Sequence, residues 1–158
     1  MGLEIYTDGA AKGNPGPGGY GVLMLFGQHR KELSEGFRKT TNNRMELLAI
    51  ITALESITKN GISLTIYSDS KYCIDAVTKG WLAGWVKKNF KGKKNADLWK
   101  RYLQIAGNFQ IKYVWVKGHA GNWGNERVDK LAVDAAEGRS LAGTGLLIDE
   151  GFESGAFN

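Results

Sequence analysis

The sequence predicts a mixed α/β domain, a sheet of five strands flanked by helices, and three observations carry that prediction. Two apolar runs of the same form, LEIYTD and LTIYSD, each close on an aspartate. Between them lies a stretch with helical periodicity, and a strand, helix, strand order implies a right-handed parallel crossover. The chain is 158 residues long, the size of one domain, and should bury roughly two thirds of its unfolded surface without staples.

Taken in order, LEIYTD reads as a first strand ending at Asp8, bounded by the turn-rich stretch GAAKGNPGPGG. YGVLMLF and a segment from about Lys31 to Phe37, joined by GQHR, form a hairpin that continues the sheet, with His29 as a surface residue in its turn. From Asn43 the pattern is helical: Leu47, Ile50, Ile51, Leu54 and Ile57 recur at three- and four-residue steps and make one apolar stripe. LTIYSD is the next strand, SKYCIDAVTK a short helix stopped at Gly80, NADLWKRYLQIA a helix, QIKYVWV a strand and NERVDKLAVDAA a closing helix. The composition changes only after about Gly138, so residues 1–137 form the domain and 138–158 a carboxy-terminal tail outside the core, free to dock on the body, bind a partner or stay flexible.

Composition narrows the function classes. Hydrophobic residues make up 42% and charged residues 23%, near the globular average, which excludes a disordered, collagenous or coiled-coil chain. Glycine is abundant, 22 residues, and predicts tight turns. The single cysteine, Cys73, can form neither an internal disulfide nor a cysteine-based zinc site and is most simply a small packing residue. No apolar run is long enough to span a membrane, and the amino terminus has neither a basic nor an apolar leader region, so a soluble, cytoplasmic protein is expected.

Net charge is +5, but from Ala135 onward one arginine faces four carboxylates, which leaves +8 on residues 1–134. The sharpest concentration is Lys87, Lys88, Lys91, Lys93 and Lys94, flanked by Trp81, Trp85, Phe90 and Trp99. Cations interleaved with aromatics suit phosphates and sugar or base faces; a solvated lysine loop is the plain alternative.

Four carboxylates carry the chemistry. Asp8 and Asp69 sit at the carboxyl ends of two parallel strands, where open α/β sheets place their ligand crevice. Glu46 lies one turn into the connecting helix and Asp129 about one turn into the last. Each has a simple structural explanation: a strand-end turn or cap for the aspartates, a capping box for Asn43-x-x-Glu46, a surface charge for Asp129. Together they would repel, and a cation must relieve them. Oxygen donors without a cysteine cluster favour Mg²⁺, with Mn²⁺ possible, and a pair of such ions could activate a water and stabilise a leaving oxygen. His119, in the glycine-flanked loop VKGHAGNWGNE, is either a surface histidine or a proton carrier beside that site.

TDGAAKGNPGPGGYG, TTNNRMELLAI, IYSDSKY and VWVKGHAG with NERVDKLA follow the order and approximate spacing of ribonuclease H, type 1, which the chain resembles over roughly residues 3–136. The resemblance implies the ribonuclease H-like fold and an endoribonuclease that hydrolyses the RNA strand of RNA/DNA hybrids with two divalent metals, leaving 5′-phosphate and 3′-hydroxyl ends. It implies that Asp8, Glu46, Asp69 and Asp129 are the metal-binding carboxylates and His119 the proton-transfer histidine. By the same likeness Asn14, Asn42 and Asn43 contact the minor groove, Thr41 and Asn95 hold a DNA-strand phosphate, and Trp81 packs under a deoxyribose. The lysine-rich stretch then corresponds to the family's basic protrusion, shortened relative to the best-known bacterial form, and Asn122, Trp123 and Gly124 mark a loop of different composition after His119.

The implied partner is an RNA/DNA hybrid bound by a monomer, with no membrane. Two rivals stand beside this reading. A binding module that has lost its chemistry is disfavoured by the intact carboxylate set. A resolvase or integrase core shares acidic residues but not the KGHAG loop together with the tryptophan and lysine protrusion.

Overall fold

The computed structural model describes residues 2–117 and 121–154. Strands β1 (Leu3–Ala11), β2 (Gly16–Phe26) and β3 (His29–Thr40) form an antiparallel meander, and helix α1 (Asn42–Glu55) leads to β4 (Ser63–Ser68), which pairs in parallel with β1. Helices α2 (Lys71–Thr78), α3 (Trp81–Lys87) and α4 (Ala96–Ala106) then connect to β5 (Gln110–Trp115), parallel to β4. Helix α5 (Trp123–Ala136), the two-residue strand β6 (Leu146–Leu147) and the short α6 (Glu150–Glu153) complete the order.

The sheet therefore has six strands, in the order β5-β4-β1-β2-β3-β6, rather than five. The sixth comes from the tail. Leu146 and Leu147 pair in parallel with Gly36 and Phe37 of β3, and Ser34 accepts the Leu141 N–H at 2.8 Å. Of the three fates left open for the tail, docking on the body is what residues 138–154 show. A two-residue pairing in a glycine-rich segment has no periodicity to announce it.

Helices pack on both faces of the sheet, and glycines permit their approach. A side chain at Gly18 would meet Met45 of α1, whereas one at Gly19 would meet Ala132 and Ala135 of α5. Successive strand residues point to opposite faces, so α1 and α5 lie on opposite sides. Leu47, Ile50, Ile51 and Leu54 of the predicted stripe are fully buried. So are Met45, Ala49 and Ala53, because α4 packs on α1 as well and leaves it little solvent face. Ile57 falls just beyond the helix and is partly buried. Cys73 packs in the same core, as expected of a small apolar group.

Two boundaries differ from the sequence reading. β1 does not end at Asp8 but runs on to Ala11, since the glycine-rich stretch pairs with it: Asp8 opposes Gly21, and Ala11 opposes Gly18. A helix not expected from the sequence, α3, leads into the lysine-rich stretch and ends at Lys87; it starts after Gly80 in the left-handed region (φ 78°) and lacks a side-chain cap. Among the described residues no helix is long and apolar enough to cross a membrane.

Candidate active site

Strand register brings the first two carboxylates together. The last paired residues of β1 and β4 are Tyr6 and Tyr67, whose rings stack at 4.6 Å. Asp8 and Asp69 each lie two residues further along, so they share a face and a height. Ser70, not Asp69, caps α2, accepting the Cys73 N–H at 3.1 Å, and the Trp115 indole N–H donates to the Asp69 carbonyl oxygen at 3.1 Å. The Asp69 carboxylate is thus spared from capping.

Glu46 arrives from α1. The capping box at Asn43 is not formed; Thr41 is the N-cap and accepts the Arg44 N–H at 3.3 Å. Glu46 instead accepts the Gly9 N–H, which also donates to Asp8 Oδ1 at 2.9 Å. Gly9 is what allows this approach, since a Cβ there would fall inside the backbone of Met45 and Glu46. One oxygen from each of Asp8, Glu46 and Asp69 lies within 4.8 Å of the others.

Burial pushes the Asp8 carboxyl up to about 8, with the neighbouring Asp69 and Asp129 acting in the same direction. Glu46 is also raised well above the ordinary carboxylate range, by burial first and by Asp8 and Asp69 next. No cation of the protein answers them by a hydrogen bond or ion pair among the described residues. Buried, mutually repelling oxygens with no nitrogen or sulfur donor among them fit a hard divalent cation.

A cavity of about 410 Å³ opens over this cluster, lined among others by Asn42, Asn43, Lys71, Tyr72 and Asp129. All four predicted carboxylates therefore border one space. A larger groove, about 1030 Å³, lies at the opposite ends of β1, β4 and β5, but its one acid, Glu4, accepts the Tyr67 hydroxyl at 2.7 Å. Size does not identify the reactive site here; the unsatisfied charge does.

The predicted substrate residues fall in two places. Asn42 and Asn43 are exposed at the rim of the acidic cavity, and Asn14 accepts the Asn42 N–H at 3.1 Å. Thr41 and Asn95 meet Asn14 in a neighbouring pocket. Trp81 is 46% exposed rather than packed into the core; with Trp85, Lys88 and Lys93 it lines a shallow groove. Lys87, Lys88, Lys91, Lys93 and Lys94 are all exposed, and Lys93 stands 5.3 Å from the centre of the Trp85 ring. Fully buried Trp99 anchors this projection, donating to the Tyr72 hydroxyl at 2.9 Å. His119 lies outside the described residues, and His29 is exposed at the start of β3.

Sequence reasoning missed Gly9, Lys71 and Arg44. A glycine directly after a strand-borne aspartate was the available signal for the first. Arg44, 1% exposed, carried none, because its partners Asp97 and Asp149 are more than 50 residues away.

A mixed sheet that brings acidic side chains from the ends of two adjacent parallel strands and from a crossing helix to one point forms a candidate site for a divalent cation. The RNase H family model matches residues 2–137, and the chain belongs to that family. It is 55% identical over 137 residues to ribonuclease H of Syntrophus aciditrophicus, covering 84% of this chain and 79% of that one. Among solved structures it is similar to LC9-RNase H1, described as a type 1 RNase H with the type 2 active-site motif, at TM-score 0.80 and 31% identity over 98% of this chain and 80% of that one. It is also similar to LC11-RNase H1 in complex with an RNA/DNA hybrid, at TM-score 0.59 and 25% identity, over 85% and 96% of the two chains.

Proposed function

We propose that this protein hydrolyses the RNA strand of RNA/DNA hybrids by a two-metal-ion reaction that leaves 5′-phosphate and 3′-hydroxyl ends. The observation that carries the reading is the convergence of Asp8, Glu46 and Asp69 oxygens, unanswered by any cation among the described residues, on the wall of a cavity that Asp129 also lines. Asp8, Glu46, Asp69 and Asp129 would hold Mg²⁺, with Mn²⁺ an acceptable substitute. When bound, such ions lower the pKa of an attacking water and stabilise charge on the departing oxygen.

The remaining steps belong to the protein. Asn14, Asn42 and Asn43 have amides that both donate and accept, which suits a 2′-hydroxyl in the minor groove and admits the RNA strand beside the carboxylates. Thr41 and Asn95 receive a phosphate of the DNA strand. Trp81 offers an exposed ring to a deoxyribose, and the five lysines neutralise phosphates along the projection. His119, between β5 and α5, passes a proton to the leaving oxygen. Neither a pure DNA nor a pure RNA duplex satisfies both strands' requirements, so specificity for the hybrid follows. The likeness to an RNase H1 solved with a hybrid supports the substrate, and the protein is expected to act as a monomer in the cytoplasm.

The test offers hybrid, dsDNA and dsRNA to the protein with Mg²⁺ and again with EDTA. Cleavage of the hybrid's RNA strand alone, abolished by EDTA, with 5′-phosphate ends on the products, is expected. Equal cleavage of all three duplexes, or activity that survives EDTA, contradicts the reading.

A further inference from the structure

The tail reaches the substrate side of the molecule through a buried arginine. Asp149 accepts from Thr40 Oγ1 at 2.6 Å, from Arg44 Nε at 2.8 Å and from Arg44 Nη2 at 3.0 Å. The other edge of the guanidinium donates to Asp97 at 2.9 and 2.7 Å and to Asn95 Oδ1 at 3.3 Å. Asn95, in the left-handed region at φ 65°, in turn donates from Nδ2 to the Tyr72 hydroxyl at 3.1 Å. Asn95 is therefore gripped at both ends of its amide, and one of those grips is set by the tail.

Asp149 also caps α6, accepting the Phe152 N–H at 3.3 Å, and so directs Phe152. Phe152 lines a pocket of about 160 Å³ together with Asn14, Thr41, Asn43, Lys94 and Asn95. The neighbouring cavity is lined by four acids; this one has amides, a hydroxyl and an ammonium and no carboxylate. Neutral donors and a cation in a small enclosure suit a single anionic group.

We propose that the carboxy-terminal segment is a positioning element of substrate binding: Asp149, acting through Arg44, sets Asn95, and Phe152 narrows the pocket around one backbone phosphate of the DNA strand. This rests on the reading of the protein as a hybrid nuclease. Residues 138–154 then serve the reaction although they supply no group to the acidic site.

The experiment measures kcat and KM for the full chain on a hybrid, and on hybrids carrying one neutral methylphosphonate at successive positions of the DNA strand. The unaltered protein should show one position at which the methylphosphonate raises KM by about tenfold, the scale of one lost charge-assisted hydrogen bond. Phe152→Ala should raise KM on the normal hybrid by a similar factor, leave kcat within about twofold, and abolish the sensitivity at that position; Phe152→Leu should restore both. Asp149→Asn should raise KM as well, whereas a purely electrostatic role would lower it, since a negative charge is removed. Phe152→Ala with normal KM and undiminished methylphosphonate sensitivity overturns the proposal, as does an unaltered protein sensitive at no position. Failure of the unaltered protein to cleave the hybrid at all overturns the functional reading instead.

Discussion

Helix α1 carries two buried charges two residues apart, Arg44 and Glu46, and their surroundings are opposite. Arg44 is met by two carboxylates, Asp97 and Asp149, each by two nitrogens, with Asn95 alongside. Glu46 is met by a backbone N–H from Gly9 and otherwise by other acids, Asp8 and Asp69, which together with burial push its carboxyl well above the ordinary range. A buried charge answered by the chain itself fastens elements together, here α1, α4 and the tail. A buried charge left unanswered costs stability, and it is kept where a ligand supplies the missing charge.

The sharpest way to break this comparison is to neutralise one member of each cluster. Asp8→Asn should lower hybrid cleavage by more than about 10²-fold, the scale of losing one group that stabilises transition-state charge. It should also raise the melting temperature measured in EDTA, because a repelling carboxylate is gone. Arg44→Met should do the reverse to the fold. Two carboxylates would lose their buried partner, at a cost of about 3–5 kcal/mol, read as a lowered midpoint in chemical denaturation. If both variants were destabilised alike, the distinction between the clusters would fail.

A smaller effect sharpens the acidic side. Gly9→Ala places a methyl group against the Met45 and Glu46 backbone, and overpacking of this kind costs about 1–3 kcal/mol. Stability and cleavage should both fall, since α1 must retreat and take Glu46 with it.

The pH dependence follows from the raised Asp8 carboxyl. Its folded-state value, about 8, lies above that of the unfolded chain, so the native state holds this proton more tightly. The associated stability is present in full below about pH 4, the unfolded range, and is lost as pH rises through about 8. In EDTA the stabilisation of Asp8→Asn over the unaltered protein should therefore grow between about pH 4 and 8 and level off above. A difference independent of pH would mean that Asp8 is ionised throughout.

The smallest expected change concerns affinity. Neutralising Lys87, Lys88, Lys91, Lys93 and Lys94 should weaken hybrid binding and flatten its salt dependence by up to about 0.9 per phosphate contact removed. An unchanged slope would mean that the projection faces away from the substrate.

What was legible in the sequence divides along the same line. Apolar runs and the stripe of α1 are local patterns, so β1, β4 and α1 could be read from periodicity. Asp8 and Asp69 could be paired because parallel strands fix register. The Arg44 cluster is assembled from residues more than 50 positions apart, with no pattern in any one segment. Helix α3 was hidden because it is seven residues long, begins after a left-handed glycine and has no capping side chain. The continuation of β1 past Asp8 was hidden by glycines that read as turn residues but pair in β2. Thr41 rather than Asn43 caps α1, and only the backbone angles decide that.

The Gly9 amide, hydrogen-bonded to both Asp8 and Glu46, is a direct reporter on the acidic cluster. Its NMR shift during a Mg²⁺ titration of metal-free protein should move saturably, over the concentrations that support cleavage, and stay still in Asp69→Asn. A Gly9 signal that does not respond in the unaltered protein, while distant amides do, would contradict the assignment of these carboxylates as the cation site.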